Sequence, residues 1–159
     1  MHIHTVPLFW GYLIRDNGEV ISPKGKVLKA RALTGGEYLQ VVLVNPDTGR
    51  RRWKLLHRLI AKAFVKNPRP DIFNVVDHIN GDTLCNDTWN LRWLNRELNM
   101  INLHKAKNAY YNKKFKKWLS MVRGKKLGWY KTYAEAHLTS KVYRRKLFEE
   151  IYANHTCTA

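Results

Sequence analysis

The stretch Val76-Asp77-His78-Ile79-Asn80-Gly81-Asp82 places a carboxylate and an imidazole at the end of an apolar run, directly before a turn-forming Asn-Gly pair. Residues 74–79 predict a strand, and part of residues 85–93 predicts a second strand after the turn. Residues 94–102 lead into a predicted helix that carries Asn99. Strand, turn, strand and helix in this order predict a small ββα unit.

Asp77 and His78 are neighbours on the first predicted strand, and this limits how they can cooperate. Successive side chains of a regular strand point to opposite faces of its sheet. A single site that uses both residues therefore requires a distortion at the end of the strand. Taken alone, Asp77 suits a turn cap, and His78 suits a strand-end histidine bonded to a backbone carbonyl.

The net charge of +17 is distributed unevenly along the 159 residues. Residues 1–70 carry a net charge of +9, residues 71–103 carry −3, and residues 104–159 carry +11. This excess of positive charge indicates a polyanionic partner, with nucleic acid as the first hypothesis and an anionic membrane as the alternative. An acidic segment between two basic ones suits a metal-dependent nuclease, because a divalent cation needs oxygen ligands beside the scissile phosphate.

Composition excludes several other classes of protein. A hydrophobic fraction of 45% with 12% aromatic residues argues against wholesale disorder. No apolar run approaches the ~18 residues of a membrane span, and no basic amphipathic helix has a clean apolar face. Cys85 and Cys157 are too few cysteines for a disulfide framework or a four-cysteine zinc site. The N-terminus lacks the pattern of a signal peptide, so we expect a cytoplasmic protein without a membrane partner.

The basic N-terminal segment predicts hairpins followed by a helix. Asp16-Asn17-Gly18 separates two short apolar runs, and Asn-Gly is a strong hairpin signal. Residues 27–33 alternate apolar and basic side chains in the manner of a strand. Residues 38–44 predict another strand, with residues 50–55 as its partner after a turn rich in Asn, Pro, Asp and Gly. Residues 57–65 then place apolar side chains at helical spacing.

The acidic segment carries several fixed residue types at fixed offsets. Residues 76–82, Asn90-Leu91-Arg92-Trp93 and Glu97-Leu98-Asn99 resemble the HNH endonuclease motif, above all that of the phage and intron-encoded branch. Asn90 lies 13 residues after Asp77, and Asn99 lies 22 residues after it, which is the spacing expected in that branch. Residues 56–64 resemble the helix that runs into the motif, and the upstream strands resemble a DNA-binding module often fused before it.

The resemblance implies a role for each motif residue. His78 would be the general base that takes a proton from the attacking water, and Asn90 would orient either His78 or its loop. Asp77 and Asn99 would bind one Mg²⁺ or Mn²⁺ per active site, without a small-molecule cofactor. An imidazole can accept a proton near neutral pH, and oxygen ligands suit a hard cation. Asparagines at the second and third motif positions argue against tight binding of Zn²⁺ or Ni²⁺, which favour imidazole.

The basic C-terminal segment has a second resemblance. Residues 118–132, followed by Ala134-Glu135-Ala136, resemble an AP2-type DNA-binding domain, which places a three-stranded sheet in the major groove and packs one helix behind it. Thr132 and Glu135 form a capping box that starts this helix. The first strand has no signal beyond Tyr110-Tyr111, so a two-stranded sheet is the alternative. The residues expected to bind DNA in the two basic segments are Lys29, Arg31, Arg50, Arg51, Arg52, Arg123, Lys125, Lys126 and Trp129.

Four residues near the motif are expected to be structural. His57 falls on the apolar face of a helix, and Cys85 is expected to be a small core residue. Trp89 and Trp93 are expected to form the core of the ββα unit.

These observations predict an α+β fold with a small N-terminal antiparallel sheet, a central ββα-metal HNH core and a C-terminal AP2-like sheet plus helix. The predicted segments are a DNA-binding module at 1–70, the nuclease core at 71–104, a basic linker at 105–117 and the AP2-like domain at 118–152. We predict a site-specific, metal-dependent endonuclease that nicks or cuts double-stranded DNA as a monomer, in the cytoplasm of a host bacterial cell. The alternatives are a non-catalytic DNA-binding protein with a degenerate nuclease core and an RNA-binding protein.

Overall fold

In the described part of the chain, small antiparallel sheets are combined with three α-helices, in agreement with the predicted α+β class. The computed structural model describes residues 4–33, 35–102 and 108–156. The chain divides into two units, Met1–Leu94 and Asn95–Ala159. This boundary falls inside the segment predicted as the nuclease core, and the division into four segments stays a prediction.

The first hairpin of the N-terminal unit forms where the Asn-Gly pair predicts it. β2 (Leu13–Arg15) and β3 (Val20–Ile21) are antiparallel partners. Between them, Gly18 has a φ of 86°, a left-handed conformation that costs glycine no steric strain. β1 (Thr5–Pro7) and β4 (Val27–Leu28) complete a four-stranded sheet with the order β1-β2-β3-β4.

A second sheet of the N-terminal unit has the order β5-β6-β7 and includes the predicted second hairpin. Its strands are β5 (Arg31–Ala32), β6 (Leu39–Val44) and β7 (Arg51–Leu55). The prediction of one continuous strand over residues 27–33 is wrong, because the chain leaves the first sheet after β4 and enters the second at β5. The first half of the run, β4, pairs with β3, whereas the second half, β5, pairs with β6, so the run forms two strands.

Helix α1 (Leu56–Phe64) follows β7 without an intervening loop. Its apolar face is buried, with Ile60 and Ala61 fully enclosed. The tip of the first hairpin lies against this helix, since a Cβ added at Gly18 would lie 3.3 Å from Ile60 Cδ1. The buried face of the helix therefore includes Leu59 and Ile60, two of the side chains whose spacing predicts the helix.

A two-stranded antiparallel ladder completes the N-terminal unit. β8 (Val75–His78) pairs with β9 (Leu91–Leu94), so that Asp77 lies opposite Arg92 and His78 opposite Leu91. A single 3₁₀ turn at Thr88–Asn90 leads into β9. Both strands pack on α1.

The C-terminal unit begins with α2 (Arg96–Ile101), the helix predicted to follow the second strand. Asn95 caps it by accepting a hydrogen bond from the backbone N–H of Leu98 at 2.8 Å. Strand, strand and helix therefore occur in the predicted order along the chain, and Asn99 lies on the helix.

The rest of the C-terminal unit is a three-stranded antiparallel sheet followed by the long helix α3 (Tyr133–Thr156). The strands are β10 (Ala109–Asn112), β11 (Lys117–Val122) and β12 (Lys125–Tyr130), in the order β10-β11-β12. The capping box at the start of α3 is confirmed, because Thr132 Oγ1 accepts from Glu135 N–H at 3.2 Å and Glu135 Oε2 accepts from Thr132 N–H at 3.1 Å.

One expectation for this unit, a two-stranded sheet, is wrong, and the observed elements cross two of the predicted segment bounds. The two-stranded alternative fails, because β10 pairs with β11 along its whole length. β10 also lies within residues 105–117, which were predicted to be a linker and of which 105–107 lie outside the described residues. Helix α3 extends beyond residue 152, the predicted end of the domain. None of the helices in the described ranges is both long and apolar enough to cross a membrane.

Candidate active site

His78 is the last residue of β8, and its imidazole is enclosed by other rings. The side chain is 5% exposed. Its ring centre lies 5.0 Å from that of His57 on α1 and 6.1 Å from that of Tyr38, which immediately precedes β6. The candidate base is thus held in one orientation by two separate elements of the N-terminal unit.

The loop from residue 79 to residue 90 supplies a polar partner that sequence reasoning missed. His78 Nε2 lies 3.1 Å from Asn86 Oδ1. In the sequence, Asn86 is one of several Asn and Asp residues in a turn-rich loop, and nothing distinguishes it from Asn80. The path of the loop, which brings Asn86 back to the strand end, decides the contact.

The hydrogen bonds of the Asn90 side chain go to the loop that follows His78. Its side chain is fully buried, and its Nδ2 donates to the carbonyl of Cys85 at 2.8 Å. Its Oδ1 accepts from the backbone N–H of Asn80 at 3.0 Å, and its carbonyl accepts from that of Ile79 at 2.8 Å. Of the two roles considered for Asn90, these contacts favour the loop.

The Asp77 carboxylate is paired with the guanidinium directly across the ladder. Arg92 Nε lies 2.9 Å from Asp77 Oδ2, and the Asp77 side chain is 12% exposed. The ladder stays regular to His78, so Asp77 and His78 leave β8 on opposite sides. The strand-end distortion that a shared site requires is therefore absent from the ladder.

The predicted metal ligands consist of one carboxylate and one amide oxygen. Asn99 lies on α2 in the C-terminal unit, so its part in the set rests on the sequence. In the described part of the chain, no group of three His, Cys, Asp or Glu residues could hold a metal ion. The donor set of Asp77 and Asn99 suits a hard cation that keeps water and phosphate oxygens among its ligands.

His57 is buried on α1 as an uncharged ring, in agreement with its predicted structural role. Its Nδ1 has no hydrogen-bonding partner within the described residues. Burial, together with the neighbouring His78 and Arg58, lowers the pKa of His57 to about 4. The folded protein therefore holds this imidazole neutral across the physiological range.

The low pKa of His57 predicts a loss of stability in acid. The unfolded chain binds a proton at an ordinary pKa near 6.5, whereas the folded chain does so only near about 4. The stabilisation that comes from the neutral His57 ring is therefore fully present above pH 6.5 and is lost as the pH drops from 6.5 towards 4. Its complete loss lowers the free energy of unfolding by roughly 3 kcal/mol at most. Urea denaturation at several pH values should show a steeper decline for the native chain than for His57→Leu; equal declines would contradict the assignment.

The other predicted structural residues differ in their burial. Trp93 is buried, and its Nε1–H donates to the carbonyl of Val65 at 3.0 Å, as expected for a core residue. Trp89 is 68% exposed, so its predicted core role is wrong. The 3₁₀ turn before β9 directs Trp89 to solvent. Cys85 is half-buried, with Sγ 3.6 Å from Asp87 Oδ2, and is not a core residue.

The second sheet separates the basic residues predicted to bind DNA. Val41 and Leu43 of β6 are buried, and their partners on β7 are Lys54 and Arg52. Opposed residues share a face of the sheet, so Arg52 and Lys54 lie on the side of the buried residues. The Lys54 ammonium accordingly lies 5.4 Å from the centre of the Phe9 ring.

The opposite side of this sheet is called the outer face here. It carries three cross-strand pairs: Arg31 with Gln40, Val42 with Trp53, and Val44 with Arg51. Trp53 is 56% exposed between the two arginines. Lys29 and Arg50 are exposed but lie outside the strands. Of the five basic residues predicted to bind DNA in this unit, Arg31 and Arg51 therefore share one face.

In the C-terminal sheet, two of the four residues predicted to bind DNA, Lys126 and Trp129, are exposed on β12. Trp129 aligns with Leu119 and Tyr110 across the three strands, and its ring lies 5.4 Å from that of Phe115. Lys126 lies opposite Met121, two residues along β11 from Leu119, and both lysine and tryptophan are exposed.

The remaining two predicted contacts already have partners within the unit. Arg123 occupies the β11–β12 turn with a φ of 50° and lies 2.8 Å from the Glu97 carboxylate. The Lys125 ammonium lies 5.0 Å from the centre of the Tyr143 ring on α3. Both side chains are exposed, so these contacts are weak and leave the residues accessible.

Comparison with known proteins finds similarity to HNH endonucleases. Residues 54–101 match the family model described as HNH endonuclease. The chain is 36% identical over 92 residues to "Uncharacterized HNH endonuclease L247" of Acanthamoeba polyphaga mimivirus, covering 58% of this chain and 23% of that protein. It is 35% identical over 106 residues to "Uncharacterized HNH endonuclease L245" of the same virus, covering 66% of this chain and 28% of that protein. The chain spans about a quarter of the length of these relatives.

A solved structure shows the same likeness in three dimensions. It is described as DNA binding and cleavage by the HNH homing endonuclease I-HmuI. The two chains are 31% identical with a TM-score of 0.53, and the similarity covers 64% of this chain and 57% of the other.

Proposed function

Because residues 54–101 match the HNH endonuclease family model, we propose that this protein is a divalent-metal-dependent, site-specific DNA endonuclease of the homing type. The observation that carries the proposal is the imidazole of His78, held by neighbouring rings at a strand end inside the matching segment. The likeness to a structure described as DNA binding and cleavage supports DNA as the substrate. The preference for Mg²⁺ or Mn²⁺ comes from the oxygen donors alone.

In the proposed reaction, His78 accepts the proton of the water that attacks the scissile phosphate. Asn90 keeps the loop beside His78 in place through its buried amide. Asp77 and Asn99 would hold the cation, which would supply polarisation of the phosphate and stabilisation of charge on the leaving oxygen.

The ion pair between Asp77 and Arg92 has a consequence for this proposal. Arg92 compensates the charge of a carboxylate that is mostly removed from water. A cation that binds Asp77 must compete with this guanidinium. The ion pair would therefore weaken metal binding until a substrate phosphate brings further negative charge to the site.

The alternative is a DNA-binding protein whose nuclease core is inactive. It is favoured by one observation, the regular ladder that sends Asp77 and His78 to opposite sides of β8. Incubation of supercoiled plasmid with the protein and Mg²⁺ or Mn²⁺ distinguishes the two functions. Nicked or linear product that disappears with EDTA supports the nuclease, whereas metal-independent retention of DNA without cleavage supports the alternative.

The outer face of the second sheet is proposed to contact the phosphate backbone of DNA. The C-terminal sheet, which resembles an AP2-type domain, is proposed to make a second contact with DNA. Arg31 and Arg51 flank the exposed ring of Trp53, and Lys126 and Trp129 are exposed on the other sheet. Phosphate contacts of this kind position a protein on DNA, whereas contacts to base edges select the sequence. Monomeric action, cytoplasmic location and a phage or intron origin stay predictions.

Salt dependence tests this placement. We expect binding to involve at least ~6 phosphates, each contributing roughly −0.9 to the slope of log K against log salt concentration. Replacing Arg31 and Arg51 together by glutamine should flatten the slope by about 1.8. The matched control replaces Lys24 and Lys26, two exposed lysines before β4 and outside the outer face. Fluorescence anisotropy over a salt series measures both slopes, and equal flattening in the two variants would show that the outer face has no special role.

A further inference from the structure

The edge of the His78 ring that faces the loop has a defined chemical partner. Nε2 lies 3.1 Å from Asn86 Oδ1, and Asn86 is half-buried. A neutral imidazole has one nitrogen that donates and one that accepts, and its neighbours decide which is which. The orientation of the Asn86 amide therefore determines where the proton of His78 resides.

The loop itself fixes that orientation. Asn86 Nδ2 donates to the backbone carbonyl of Leu84 at 3.1 Å. A carbonyl can only accept a hydrogen bond, so the NH₂ group must point to Leu84 and the oxygen to His78. An oxygen at Nε2 requires that Nε2 carries the hydrogen, which leaves the lone pair on Nδ1.

Packing prevents the ring from escaping this arrangement by rotation. The His78 ring lies near the rings of His57 and Tyr38, and its side chain is buried. A flipped ring would place the unprotonated nitrogen or a C–H group against Asn86 Oδ1 and lose the hydrogen bond. Burial makes such a loss costly, because little water is present to replace the partner.

We propose that Asn86 is a positioning residue that holds His78 as its Nε2–H tautomer, so that Nδ1 is the atom that takes the proton from water. The inference rests on the proposed nuclease function. The water oxygen forms a bond to phosphorus and its proton moves to Nδ1. The bond from phosphorus to the 3′ oxygen breaks, and that oxygen keeps the electron pair and is protonated by solvent. The Nε2–H to Oδ1 hydrogen bond persists throughout and strengthens when the ring becomes positive.

The tautomer can be measured without any cleavage. In ¹⁵N-labelled full-length protein, the shifts of the ring nitrogens distinguish a protonated from an unprotonated nitrogen, and His78→Gln identifies the His78 signals. When the ring is neutral, the native protein should show a hydrogen on Nε2. Asn86→Ala and the apolar, similarly sized Asn86→Leu should both show a mixture of tautomers. Asn86→Asp, whose carboxylate can only accept, should keep the hydrogen on Nε2.

Cleavage assays of the same variants test the catalytic consequence. The turnover rate of Asn86→Ala should fall about 10- to 100-fold, the factor expected for one hydrogen bond to a charged group, while DNA affinity stays unchanged. Asn86→Asp should recover part of the rate. The matched control is Asn17→Ala, in the first hairpin, whose Oδ1 accepts from the N–H of Glu19 at 3.1 Å. This control should leave tautomer and rate as they are.

The outcomes separate this inference from the proposed function. A native protein with its hydrogen on Nδ1, or an Asn86→Ala or Asn86→Leu variant with an unchanged tautomer, overturns the inference whether or not DNA is cut. A changed tautomer with an unchanged rate in an active enzyme also overturns it. A native protein that cuts no DNA but whose tautomer follows Asn86 overturns the nuclease function instead.

Discussion

Replacing His78 by alanine is expected to reduce the DNA cleavage rate by about 10²–10⁴-fold, the range found when a general base is removed. The imidazole is the proton acceptor in the proposed reaction. The ring of His57 lies beside it, with the two ring centres 5.0 Å apart. Its low pKa makes it a poor substitute, because a base that holds protons only in acid pulls weakly on those of water.

The experiment needs a companion variant because the His78 ring is also part of the buried packing. His78→Gln keeps a polar side chain of similar reach against Asn86, so it preserves more of the local structure while removing the base. Both variants should bind DNA with nearly native affinity, measured by anisotropy in EDTA. Cleavage within a few-fold of the native rate in either folded variant would remove His78 from the mechanism.

The second large effect is expected at the proposed metal ligand. Asp77→Ala should lower metal-dependent cleavage at least about 10²-fold, since a carboxylate provides the charge that retains the cation, and EDTA should abolish cleavage by the native protein. Asn99→Ala should have a smaller effect, because an amide oxygen carries no net charge. Single-turnover rates over a titration of Mg²⁺ and Mn²⁺ would separate weaker metal binding from slower chemistry.

Arg92 supplies the matched control for Asp77. Arg92→Met breaks the same ion pair but leaves the carboxylate in place. If Asp77 served only to pair with Arg92, the two variants would lose similar activity. A metal ligand predicts the opposite ranking: Asp77→Ala is nearly inactive, whereas Arg92→Met keeps most of its rate and reaches half-saturation at a lower metal concentration. Full activity in EDTA would rule out the metal hypothesis for both.

Features that depend on neighbouring residues could be predicted from the sequence. The Asn-Gly hairpin, helix α1 and the capping box at Thr132 and Glu135 all arise from contacts within a few residues. Strand β8 and helix α2 were likewise recognisable from apolar patterning and from the resemblance to a known motif.

Features that depend on distant partners could not be predicted. The run over residues 27–33 looks like one strand until its two halves pair with different sheets. β10 has little apolar signal of its own and is stabilised by pairing with β11. The same applies to the site, where the contact of Asn86 with His78 depends on the path of a loop.

One face of the second sheet is buried in the core and the other is exposed, and this difference affects how such proteins can acquire new targets during evolution. None of the three cross-strand pairs on the outer face belongs to the buried core. Substitutions at Gln40, Val42 or Trp53 can therefore accumulate without repacking the interior. Deleting one residue within the β6–β7 hairpin would instead shift the register and exchange the two faces of β7. Natural variation among relatives should accordingly be broad in the chemistry of the outer face and narrow in the length of that hairpin.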